Sequence, residues 1–186
     1  MKIYITNMVC SRCQMVVKNE LEKLGITPLK VDLGEIELAE NLTDEQKMAF
    51  TESLHLHSFE LIEDKKSRII EKIKNVIVDL VHYHDNDSKI NLSLFLSEQL
   101  SHDYNYLSTL FSETNGITIE QYFIAQKIEK VKELLMYDEL TLSEIAFKLN
   151  YSSVGYLSNQ FKKVTGLTPS SFKLLKDKNR LSIADL

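Results

Sequence analysis

The sequence predicts an α+β protein, with a small mixed half in β-α-β-β-α-β order followed by an all-helical half. Three observations carry this. Strand-like and helix-like periods take turns up to Asp64, every apolar period after Lys65 is helical, and two stretches of the second half share one design. The length of 186 residues with 44% hydrophobic side chains suffices for one generous core or two small ones. Five Gly and two Pro leave little material for a repetitive β architecture or a Pro-rich linker.

Element by element, Ile3 and Ile5 lie on one face of a strand over Lys2 to Thr6. Val16, Val17, Leu21 and Leu24 then fall at helical spacing, and Gly25 is a natural stop. Leu29, Val31 and Leu33 alternate, Gly34 permits a tight turn, and Ile36 and Leu38 alternate again, which reads as a hairpin. Thr43-x-x-Gln46 is a capping box opening a helix through Met48, Phe50 and Leu54, and Ser58 to Ile62 reads as a last strand. This is the ferredoxin-like, split βαβ order, with a four-stranded antiparallel sheet and both helices on one face. It bounds a sensor or oligomerisation domain at 1–64.

From Lys65 to His84, Ile69, Ile70, Ile73, Val76, Ile77, Leu80 and Val81 mark a helix, and the cluster Asp85-Asn86-Asp87-Ser88 is the natural seam. The segment 65–87 is therefore a connector. Its apolar residues exceed one narrow stripe, which fits packing on both halves or a homodimer seam as well as it fits a rigid link.

Downstream, Asn91, Thr118 and Thr141 are candidate caps, the last two in capping boxes with Gln121 and Glu144. The repeat pairs Leu94 to Leu100 and Tyr106-Leu107-Ser108-x-Leu110-Phe111 with Ile145 to Leu149 and Tyr156-Leu157-Ser158-x-x-Phe161, each copy closing in Gly-Ile-Thr or Gly-Leu-Thr. Each reads as helix, short turn, helix. Leu157 and Phe161 can pin the second helix of the later copy, Ala146 allows a close crossing, and the opposite face is free to enter a major groove.

These residues resemble the AraC family of transcriptional regulators over about Lys89 to Lys176, within a domain bounded at 88–176, and a tail follows at 177–186. Gly116-Ile117-Thr118-x3-Tyr122, the helix from Ile128 to Leu135, Ser143-Glu144-Ile145-Ala146-x-x-Leu149 and Phe161-Lys162-Lys163-x2-Gly166-x-Thr168-Pro169 strengthen the match. The resemblance implies groove-facing positions at Tyr104, Asn105, Ser108 and Thr109 in the first unit and at Val154, Gly155, Asn159 and Lys162 in the second. Lys127 stands where the family usually has Arg, Asn150-Tyr151 replaces Gly-Phe, and Gly155 takes a commonly polar position.

Spacing supports most of these positions independently. Asn105, Ser108, Thr109 and Ser112 form a polar stripe opposite Leu107 and Leu110, although an ordinary solvated face would look the same. Neither reading helix contains Arg, the commonest reader of guanine, whereas Asn pairs bidentately with adenine. The expected partner is double-stranded DNA with an A·T-biased site. The net charge of −5 argues against coating nucleic acid non-specifically. That acidity sits in residues 1–87, because residues 88–186 carry equal numbers of Lys+Arg and Asp+Glu. Lys162, Lys163, Lys173, Lys176, Lys178 and Arg180 follow the second reading helix, where they can neutralise phosphates.

The remaining chemical feature is Met8-Val9-Cys10-Ser11-Arg12-Cys13, between the first strand and the first helix, where a helix N-terminus favours thiolate. Two cysteines cannot staple a fold of this size, and in a reducing compartment such a pair is more often a metal or redox site. The motif and element order resemble the heavy-metal-associated domain of copper chaperones, signature Gly-Met-Thr-Cys-x-x-Cys, with Asn7 and Val9 in place of Gly and Thr. That resemblance implies Met8 as core anchor and Cys10 and Cys13 as ligands of Cu(I) or another soft metal, with His57 a third ligand. A lone His in a turn is more often just solvated. Zinc would want four ligands, and only Cys10, Cys13 and His55 or His57 are offered. Disulfide formation, or thiols that bind nothing in a domain kept for packing, are the other readings.

No Walker-type Gly loop, Gly-x-Ser-x-Gly or His-Glu-x-x-His is present, so no enzyme is expected. No 18-residue apolar run occurs and the N-terminus turns polar early, so the expectation is a cytoplasmic protein without a membrane partner. The two functional readings are a DNA-binding regulator responsive to metal or redox state, and a soft-metal-handling protein whose helical half docks a partner.

Overall fold

The computed structural model describes residues 1–83 and 90–174. The expected seam at Asp85 to Ser88, the basic residues Lys176, Lys178 and Arg180, and the tail 177–186 lie outside the described residues. The chain forms two compact units, 1–75 and 76 onward.

Unit 1 comprises β1 (Lys2–Tyr4), α1 (Ser11–Lys23), β2 (Pro28–Asp32), β3 (Glu35–Leu38) and α2 (Asp44–His55). The sheet is antiparallel in the order β1-β3-β2, with Ile3 opposite Ile36 and Val31 opposite Ile36 on the other side. The four-stranded sheet expected from the sequence is reduced to three strands and one isolated antiparallel bridge, Ile5 to Leu61. That bridge is flanked by Thr6 N–H to Glu60 O at 2.9 Å and Ile62 N–H to Tyr4 O at 2.8 Å. The reason is visible in the burial pattern. Phe59 and Ile62 are buried and Glu60 is exposed, a spacing of three that a pleated strand does not support.

Ile3, Ile5, Met8, Val17, Leu21, Ile36, Leu38, Phe50, Leu54 and Phe59 make the core. Burying a side chain the size of Phe50 or Leu21 contributes about 1.5–3 kcal/mol before chain entropy is counted. Leu29, which the alternation assigns to the face of Val31, is exposed because the register shifts between Pro28 and Lys30. Gly34 is required twice over: its φ is +75°, and a Cβ there would lie 2.7 Å from Asn75 Nδ2. Asn75 Nδ2 donates to Leu33 O at 3.3 Å.

Helix α3 (Lys65–His82) opens with Asp64 Oδ1 accepting from Ser67 N–H at 2.8 Å. The division between the units falls within this helix. Unit 2 continues with α4 (Leu92–Leu100), α5 (Tyr104–Asn115), α6 (Ile119–Tyr137), α7 (Leu142–Lys148), α8 (Val154–Thr165) and α9 (Pro169–Leu174). Asn91 caps α4, and Thr118 and Thr141 close reciprocal capping boxes with Gln121 and Glu144, as Thr43 does with Gln46 in α2. Each such cap contributes about 1 kcal/mol.

Both Gly116 and Gly166 end their helices in the left-handed region, at φ 70° and 78°. Helix α6 is the scaffold. Its Tyr122 ring lies 5.6 Å from Phe111 of α5, and Ile128, Val131 and Leu135 join Ile145, Ala146, Leu149, Leu157, Phe161 and Phe172 in one core cluster. Gln126, fully buried on the same helix, donates to Tyr122 OH at 3.0 Å.

Candidate nucleic-acid interface

Helices α5 and α8 are held by equivalent anchors. Leu107, Leu110 and Phe111 of α5 are buried, as are Leu157 and Phe161 of α8. With 100° per residue, these anchors fix which side of each helix points away from the core. In α5 that side carries Asn105, Thr109 and Ser112, with Ser108 and Glu113 beside it. In α8 it carries Gly155, Asn159 and Lys162, with Lys163 beside it. Asn105, Thr109, Gly155, Asn159, Lys162 and Lys163 are exposed, whereas Ser108 and Ser112 are half-buried. Ser112 Oγ donates back to Ser108 O at 2.7 Å, so its proton is engaged by its own helix.

Two implied positions fall elsewhere. The Tyr104 hydroxyl donates to the Glu120 carboxylate at the start of α6, and burial together with that carboxylate raises the phenol above its ordinary value. Val154 packs against the core cluster. In wheel terms both lie about 100° from the outward stripe, one residue before it, so the first turn of each helix is divided between core-facing and outward sides.

The two helices differ in charge. Helix α5 has no Lys or Arg and carries Glu113, with Asp103 as its N-cap. At the corresponding place α8 has Lys162 and Lys163, and no acidic partner for either is found among the described residues. Lys173, counted among the phosphate-neutralising residues from sequence, is instead paired with Asp138. Unpaired positive charge on the two helices therefore concentrates on α8.

The thiol pair sits in unit 1. Cys10 is the N-cap residue of α1, and its Sγ lies 3.4 Å from Cys13 Sγ. Burial alone would raise the Cys10 thiol, but the N–H and thiol of Cys13, with Arg12, more than offset it, leaving Cys10 below the ordinary thiol value. Burial, then the Cys10 sulfur, pushes Cys13 up. Met8 is fully buried in the core of unit 1. His57 does not join the thiols: its Nε2 is 3.4 Å from Glu20 Oε1, and Glu20 lies seven residues past Cys13, roughly 10 Å farther along α1. Among the described residues, no group of three or more His, Cys, Asp or Glu is placed to hold a metal ion.

Comparison with known proteins bears on unit 2. Residues 96–174 match a family model described as "Helix-turn-helix domain". These residues hold both helix-turn-helix units described above. The chain is 28% identical over 148 residues to the HTH-type transcriptional regulator YtdP of Bacillus subtilis, covering 72% of this chain and 19% of that protein. It is 27% identical over 158 residues to the transcriptional regulatory protein YesN of the same organism, covering 79% of this chain and 42% of that one. It thus spans less than half the length of these curated relatives. The C-terminal domain of AraT, a response regulator from Geobacillus stearothermophilus, superposes with a TM-score of 0.51 at 26% identity, covering 64% of this chain and 92% of that domain.

The helix-turn-helix domain accounts for its departures from the pattern of the family it resembles. Asn150, standing where Gly is usual, has φ 54°, and Asn tolerates the left-handed region better than other side chains. Ser101 takes the same φ of 54° in the turn of the first unit. Lys127, standing where Arg is usual, places Nζ 3.9 Å from the Tyr151 ring centroid, and burial pushes its amine down to about 8. Tyr151 OH donates to Gln160 Oε1 at 2.8 Å, bracing the turn against α8. Gln160 carries no sequence signal for this role, since only the folded turn brings the pair together. Among the described residues no helix is long and apolar enough to cross a membrane.

Proposed function

We propose that this chain is a transcription regulator that binds double-stranded DNA sequence-selectively through α5 and α8. The observation that carries this reading is the matched pair of outward stripes, Asn105-Thr109-Ser112 and Gly155-Asn159-Lys162, at equivalent places of two repeated units. Asn159 and Asn105 read base edges, with adenine favoured and hence A·T-biased sites, while Lys162 and Lys163 hold phosphates. A mobility-shift assay on the full chain tests it. Sequence-selective retardation that weakens in Asn105→Ala and Asn159→Ala supports the reading, and salt-sensitive, sequence-blind retardation opposes it.

Unit 1 serves as the sensor in this reading. Its helix and strand order, with the bridge at Leu61 in the place of a fourth strand, supports a reduced ferredoxin-like arrangement. Cys10 and Cys13 offer two soft donors side by side, a set that suits a monovalent ion such as Cu(I) and is too small for zinc. The same pair can instead pass two electrons to a hydroperoxide: Cys10 thiolate takes an oxygen and releases the alcohol or water, and Cys13 displaces water to close a disulfide. Full-chain DNA binding compared with and without Cu(I) or hydrogen peroxide, and again for Cys10→Ser, separates these: a change abolished by the substitution supports sensing. The thiol geometry is also what favours the second reading, a soft-metal-handling protein. Cu(I) binding without any sequence-selective DNA binding would favour that reading.

A further inference from the structure

Unit 1 contains a cavity of about 230 Å³ bounded by β1, the segment 61–63 and the first turn of α3. Its lining is apolar at Ile3, Leu42, Leu61 and Ile62, with Tyr4 contributing its ring. Three cationic side chains also line it; Lys2 and Lys47 have carboxylate partners, Lys2 sharing its own, Glu35, with Lys72. Lys2 pairs with Glu35 at 2.5 Å and Lys47 with Glu63 at 2.7 Å. Arg68 has no carboxylate partner: its Nη2 donates to the Glu63 backbone carbonyl at 2.8 Å, and its guanidinium lies 4.4 Å from the Tyr4 ring centroid. Arg68 Nε is buried and meets no acceptor.

A buried donor of a charged group left without an acceptor is destabilising, and such groups in native proteins usually mark a missing partner. Arg68 also sits beside Lys65 and Lys66 in the first turn of α3, where the helix dipole disfavours cations. An anionic acceptor answers both conditions. The planar guanidinium fork matches a carboxylate, and the apolar lining at Ile3, Leu42, Leu61 and Ile62 suits an organic body better than it suits inorganic phosphate. At 230 Å³ the space falls below the ~300–1,000 Å³ of pockets for drug-sized ligands, so the body of the ligand is short.

We propose that this cavity binds a small organic monoanion, a carboxylate with a short apolar body, its charge on Arg68 and its chain against Leu42, Leu61 and the Tyr4 ring. The site draws only on residues of unit 1 outside the thiol loop. It therefore stands or falls separately from DNA binding and from the chemistry of Cys10 and Cys13.

Calorimetric and NMR titration of the full chain with hexanoate, its neutral analogue hexanamide and inorganic phosphate tests the assignment. Saturable hexanoate binding is expected, with shifts at Tyr4, Leu61 and the Arg68 side chain, and with hexanamide weaker by about tenfold or more. Arg68→Gln removes this preference, and Arg68→Lys, which keeps the charge without the fork, weakens hexanoate. Equal binding of hexanoate and hexanamide, no saturable hexanoate binding, or phosphate binding tighter than hexanoate overturns the proposal. The comparison of the three probes on the unsubstituted chain decides the matter even where the Arg68 variants fail to fold.

Discussion

Glu71 of α3 accepts the backbone N–H of Asn7 at 2.7 Å, and this bond fixes the entry to the cysteine loop. Asn7 is in the left-handed region at φ 62°, its Nδ2 donates to Ser58 O at 3.1 Å, and Cys13 Sγ faces its carbonyl at 3.9 Å. The carboxylate therefore holds from behind the same residue that the thiol meets in front. Burial pushes Glu71 above the ordinary carboxyl value, so its negative charge is maintained at some cost to stability.

Removing the acceptor and removing the charge should have different effects. Glu71→Ala leaves the Asn7 N–H buried and unpaired and is expected to lower stability by about 1–3 kcal/mol in urea unfolding. Glu71→Gln retains a carbonyl acceptor. A carboxyl raised in the folded state binds more protons there than in the unfolded chain, so its contribution to stability falls as pH rises from the ordinary carboxyl value through the raised one. Glu71→Gln should flatten that part of the pH profile. An unchanged profile would show that Glu71 titrates normally.

The two thiols should react unequally. Cys10, lowered, is expected to be alkylated by iodoacetamide before Cys13, raised, when peptides are mapped by mass spectrometry at mildly alkaline pH. Equal labelling rates would contradict the asymmetry.

Gly155 separates stability from recognition. Its Cβ position is open, the nearest atom being Ser153 Oγ at 3.8 Å, and its φ is not positive, so the protein itself does not require glycine there. Gly155→Ala is expected to stabilise the fold by about 0.5 kcal/mol through helix propensity while weakening DNA binding, because the methyl group occupies the outward stripe. A stabilised variant with undiminished affinity would remove Gly155 from the interface.

Charge asymmetry between the reading helices sets a further expectation. Lys162→Ala with Lys163→Ala should weaken binding to all sequences and reduce the slope of log affinity against log salt by about two. Glu113→Gln on α5 should tighten binding. Salt titrations by fluorescence anisotropy measure both, and an unchanged slope in the double variant would place the phosphate contacts elsewhere.

Much of this was legible in the chain because the informative signals are local. Thr43, Thr118 and Thr141 each announce a helix through a partner three residues on, and Leu107 and Phe111 repeat in Leu157 and Phe161. The stripe through Asn105 and Thr109 follows from the same period. What was not legible depends on pairing across distance. Ser58 to Ile62 has strand-like composition, yet burial of both Phe59 and Ile62 limits it to a bridge. His57 sits near the right element for a ligand, but Glu20 captures it. Neither Glu71 nor Arg68 signals its role, since each is an ordinary charge on a helix until the fold surrounds it.

The most direct measurement is selection of binding sites from a random duplex library by the full chain, repeated with Asn105→Ala and Asn159→Ala. The account predicts enrichment of a discrete motif containing A·T pairs, with preference relaxed at different positions in the two variants. A library recovered without sequence preference, or a motif unchanged by both substitutions, would contradict it.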